Sequence, residues 1–159
     1  MQKDNMPFKY CKQIWPPEFR FFLVFIFAII SPFFLLLLEK TIFPYPAILE
    51  ESFKAIVIIC LITGLSRPVH KLAAAALFGF LIGLSENMFY IFGGAVDGFQ
   101  IFGQRMLIVT PMHMLTTVLI LLFTLFKHKH FIIFGWLLAI IIHALFNNYA
   151  DRLARIIFN

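Results

Sequence analysis

Five apolar runs, each close to the length of a bilayer crossing, alternate with short charged turns along the chain: Phe21–Leu38, Leu49–Ser66, Leu72–Phe92, Arg105–Phe126 and Phe131–Asn147. A hydrocarbon core about 30 Å thick takes about 20 apolar residues of helix to cross. No water is available there, so each segment must satisfy its own backbone hydrogen bonds. The pattern therefore predicts an all-α fold, a polytopic membrane helix bundle of about five transmembrane helices. A soluble alternative fails on composition: 62% of the 159 residues are hydrophobic and 13% charged, more apolar surface than a soluble domain of this size can bury.

The expected organisation is a cytoplasmic tail over 1–20, an anchor helix over 21–38, a four-helix membrane core over 49–148 and a short amphipathic tail over 149–159. The anchor run is too long for the apolar region of a signal peptide and no small-residue cleavage site follows it, so we read it as retained. Pro32 should kink it. Residues 39–48 read as a loop, 93–98 as a glycine-rich loop, and 99–104 as interfacial. With five crossings the termini lie on opposite sides. Eight basic residues (Lys3, Lys9, Lys12, Arg20, Arg67, Lys71, Lys127, Lys129) then share one side and five (Lys40, Lys54, Arg105, Arg152, Arg155) the other. The positive-inside rule puts the richer side, with the N-terminus, in the cytoplasm. The formal charge of +5 fits anionic lipid headgroups and not nucleic acid, since no basic, aromatic-interleaved soluble patch exists. Cys11 and Cys60 lie in different settings and form no disulfide framework.

Ionisable residues within the apolar runs mark functional positions by default. Glu50 and Glu51 open the second run, and Lys54 stands four residues from Glu50, close enough to pair with it. At 1.5 Å per residue, Glu86 lies about 9 Å below the outer end of the third run, His113 about 12 Å down the fourth and His143 about 6 Å into the fifth. All fall in one leaflet half. Gly79 and Gly83 form a G-x-x-x-G pair that lets helices approach closely, and Glu86, Asn87 and Tyr90 continue that face. Gly135, Ala139, His143 and Asn147 form a similar stripe.

Imidazoles and carboxylates gathered at one depth suit two chemistries. Three protein ligands and an open position make a catalytic zinc site, for which Glu86, His113 and His143 are the candidate ligands, zinc or another divalent metal being the cofactor. Without metal, a glutamate activates water directly and His143 with Asn147 donates to the oxyanion. The H-E-x-x-H signature is absent. A serine nucleophile at Ser85 fails the G-x-S-x-G pattern, whose second glycine position holds Asn87.

The set Glu50-Glu51-x-x-Lys54, Gly83-x-x-Glu86-Asn87-x-x-Tyr90, Arg105 with Pro111-x-His113, and His143-x-x-x-Asn147 resembles the PrsW family of intramembrane proteases. It is similar more widely to the CAAX prenyl protease and bacteriocin-processing superfamily. The motifs fall in family order, each on its own run, and cover Glu50 to Asn148. The aromatic usually found four residues before Glu86 is Ile82, and the chain is short, with a single anchor before the motifs. The resemblance implies hydrolysis of a peptide bond in a single-span membrane protein near its extracytoplasmic face, in a bacterial cytoplasmic membrane. It implies catalytic roles for Glu50, Glu51, His143 and Asn147, with Lys54, Asn87 and Arg105 supporting them. Two other classes compete: a proton- or ion-coupled transporter or channel using the same Glu/His cluster, and a non-catalytic membrane scaffold. Oligomeric state is not legible in the sequence.

Overall fold

The computed structural model describes residues 16–41, 44–92, 97–126 and 130–158. Within them the chain forms five α-helices: α1 Pro17–Thr41, α2 Pro46–Val57, α3 Pro68–Phe92, α4 Gly98–Thr124 and α5 His130–Phe158. A π-helical turn, Ile58–Ile62, extends α2 directly. Proline opens α1, α2 and α3, where its missing N–H is one the helix leaves unpaired anyway.

α1, α3, α4 and α5 are long and apolar enough to cross a membrane. α2 with its π turn is shorter and carries Glu50, Glu51 and Lys54. Its far end nevertheless reaches the far end of the bundle, because the Arg20 guanidinium, from the first turn of α1, lies against Gly64. α2 thus traverses nearly the same height as its neighbours.

Several boundaries differ from the sequence reading. α1 runs through Pro32 to Thr41 and α2 begins at Pro46, so both ends of the expected loop are helical. Residues 99–104 form the first turns of α4. The expected C-terminal tail continues α5 as one helix. Much of the basic N-terminal tail, residues 93–96 and Lys127–Lys129 lie outside the described residues.

Packing follows the small residues. A Cβ on Gly79 would stand 2.5 Å from the His113 carbonyl oxygen and 2.7 Å from Met114 Cα, and one on Gly83 would stand 2.8 Å from Thr110 Cα. α3 and α4 therefore run antiparallel with their backbones nearly touching. α4 packs in turn on α5, and α1 on α2 and α3. Phe78, Ile58, Ile62, Ile82, Ile120 and Ala139 fill the common core. The α1 phenylalanines Phe22, Phe25, Phe33 and Phe34 are exposed, as lipid-facing side chains should be. α1 makes no extensive contact with α4 or α5, and that gap positions the site.

Candidate active site

The gap is a cavity of about 400 Å³. Pro32, Leu35, Leu36 and Glu39 of α1 form one wall, and His143, Phe146 and Asn147 of α5 another. Glu50 of α2, Glu86 of α3 and Arg105 of α4 also line it.

The polar side chains behind this cavity form one connected network. Glu51 and Lys54, one turn apart on α2, are wholly buried and pair at 2.7 Å. The expected partner of Lys54 was Glu50. Instead, Glu50 Oε2 turns toward two imidazoles, 3.8 Å from His113 Nδ1 and 3.9 Å from His143 Nε2. The rings of His113 and His143 meet edge to face, with centroids 5.3 Å apart.

Each imidazole is held from behind by a different carboxylate. His143 Nδ1 lies 2.7 Å from Glu51 Oε1. His113 Nε2 lies 2.7 Å from Glu86 Oε2. An ionised carboxylate only accepts hydrogen bonds, so these contacts put the protons on His143 Nδ1 and His113 Nε2. The nitrogens facing Glu50 are then the two lone-pair atoms. Glu86 is itself clamped by Arg105 Nη2 at 2.7 Å. Arg105 Nε donates to Asn87 Oδ1 at 3.0 Å, and Asn87 Nδ2 donates to Thr110 Oγ1 at 3.3 Å. This arrangement fixes ring orientation and tautomer together.

A metal ion fits this donor set. Glu50, His113 and His143 each offer a ligand atom, and the three atoms lie within 4.8 Å of one another. In a tetrahedral zinc site, ligand atoms about 2.0–2.1 Å from the ion stand roughly 3.3 Å apart. The two measured edges need a contraction of roughly half an ångström to reach that. Glu50 Oε2 is buried and has no hydrogen-bond partner, which leaves it free for an ion. Carboxylates behind ligating histidines are the usual outer support of such sites.

A family model for the PrsW family of intramembrane metalloproteases matches residues 21–158. The chain belongs to that family. No curated protein and no solved structure matches it. As a PrsW-family protein it is an intramembrane protease, and its substrates are accordingly membrane proteins.

The sequence-derived candidates do not all stand in the same relation to the site. Glu50, Glu51, Glu86, His113 and His143 come together. The three-atom group, however, contains Glu50 where the sequence reading put Glu86; Glu86 contacts the outer nitrogen of His113 instead. Lys54, Asn87 and Arg105 lie in the network. Asn147 lies on the cavity wall, with its side chain exposed. The side chain of Tyr90 is outside the described residues. Two contributors escaped the sequence reading. Thr116 is wholly buried between Lys54 and Glu51. Its spacing of three from His113 is the signal the sequence offers; Thr117, four residues from His113, only returns its hydroxyl to the His113 carbonyl at 2.6 Å. Glu39 on the cavity wall was read as part of a loop.

Proposed function

We propose that this PrsW-family protein cleaves a single-span membrane protein near its extracytoplasmic face, with Glu50, His113 and His143 holding a divalent ion. The observation that carries the reading is the pair of imidazole lone pairs turned toward one unpartnered carboxylate oxygen beside a cavity. When bound, a divalent ion polarises the scissile carbonyl and makes a water molecule a competent nucleophile near neutral pH.

The chain's own residues supply the rest. Glu86 lines the cavity and touches the outer nitrogen of His113, so it orients that ring and raises the basicity of its inner nitrogen. Arg105 holds Glu86 in place. Asn147, on the α5 wall, donates its amide to the oxyanion. Glu51 touches no cavity surface and acts through His143. The site lies at the end of the bundle opposite Arg67, Lys71 and His130. That separation supports cleavage on the side away from the cytoplasm. The shared Glu-Glu pair and H-x-x-x-N supports kinship with the CAAX prenyl protease and bacteriocin-processing superfamily.

Glu50→Gln and Glu86→Gln separate the roles. Both should lower cleavage of a single-span substrate, Glu50→Gln by removing a ligand and Glu86→Gln by about 10–100-fold through His113. Only Glu50→Gln should also release the metal from purified protein. Equal metal content in both variants would remove Glu50 from the ligand set.

A further inference from the structure

Lys54 has three N–H donors and three acceptors: Glu51 Oε1 at 2.7 Å, His113 Nδ1 at 3.0 Å and Thr116 Oγ1 at 3.1 Å. It is wholly buried, so no water stands ready as a fourth partner. His113 Nε2 is engaged by Glu86 Oε2 at 2.7 Å and carries the ring proton. The Nδ1 lone pair that accepts from Lys54 is therefore the same lone pair that faces Glu50. One lone pair has two claimants, an ammonium and an ion.

We propose that Lys54 sets the metal affinity of the site by occupying the His113 Nδ1 lone pair until an ion takes it, and then rests on Glu51 and Thr116 alone. The inference depends on the reading of Glu50, His113 and His143 as ligands. Thr116 is what makes the exchange feasible. With its hydroxyl, the displaced ammonium keeps two partners; without it, one, in a place that water does not reach. The lysine also keeps a positive charge beside the ion, which further weakens binding, and its pairing with Glu51 balances that carboxylate whether or not an ion is bound. Lys54 is thus a positioning residue that tunes the site, and Thr116 is its resting place.

The test is a Co²⁺ titration of the full-length protein in detergent micelles, followed by visible absorption, with Zn²⁺ competition. Lys54→Met removes the competitor and should bind Co²⁺ about 10–100-fold more tightly, the worth of one hydrogen bond to a charged group. Thr116→Val, which alters no charge, should bind about tenfold more weakly, and Thr116→Ser should restore wild-type affinity. Wild-type affinity in both Lys54→Met and Thr116→Val overturns the proposal. Should Lys54→Met not fold, equal affinity of Thr116→Val and Thr116→Ser overturns it alone. A wild-type protein that takes up neither Co²⁺ nor Zn²⁺ overturns the metal reading itself. That outcome is distinct from variants that bind as the wild type does.

Discussion

At the scale of single residues, glycines decide how closely the helices carrying the site approach. Gly79 and Gly103 make opposite predictions. An alanine at Gly79 drives its methyl into the backbone of α4, which cannot move aside as a flexible side chain would. Overpacking of this kind costs about 1–3 kcal/mol, and it displaces His113, whose own carbonyl takes the clash. Gly79→Ala should therefore lower both thermal stability and proteolysis. Gly103 has nothing within 4 Å of where its Cβ would be and sits within α4. Gly103→Ala should raise stability by about 1 kcal/mol through helix propensity alone, with cleavage unchanged. Thermal unfolding of the two variants in one detergent checks both signs.

At the scale of elements, α5 is tied to α2 twice on one face. Trp136 Nε1 donates to Ser52 Oγ at 3.1 Å, and His143, seven residues on, meets Glu51. Trp136→Phe and Ser52→Ala should each cost about 0.5–1.5 kcal/mol. The double variant should cost little more than either single one, as a coupled pair does. Additive losses would show that the bond contributes nothing. The element level is also where the sequence was most and least informative. The apolar runs revealed the helices because a bilayer admits few alternatives. The motif spacing revealed which residues share the site's depth. Which glutamate faces both imidazoles at once was not legible. Glu50 and Glu51 are adjacent, and only the rotation of α2 against α4 and α5 decides which one pairs with Lys54. Thr116 was hidden for the same reason, since Thr116 and Thr117 both lie within a helical turn of His113. The lengths of α1 and α5 were underestimated because flanking polar residues continue a helix as readily as they end one.

At the scale of the whole molecule, the basic turn at Arg67–Lys71 and the cavity lie at opposite ends of the bundle. Among the described residues five helices make up the bundle, four of them long and apolar enough to cross a membrane. Reporter fusions should find the N-terminus in the cytoplasm and the C-terminus outside, as the basic count predicts. An external N-terminus would put the cavity at the cytoplasmic face and move the site of cleavage with it. The cavity is walled by α1 on one side and α5 on the other, two helices that do not pack together. The family's substrates are membrane proteins, so a substrate reaches the site by diffusing in the plane of the bilayer. The relevant concentration for this enzyme is then a surface density. Diluting the aqueous phase leaves the encounter rate untouched, whereas adding lipid around the same molecules slows it.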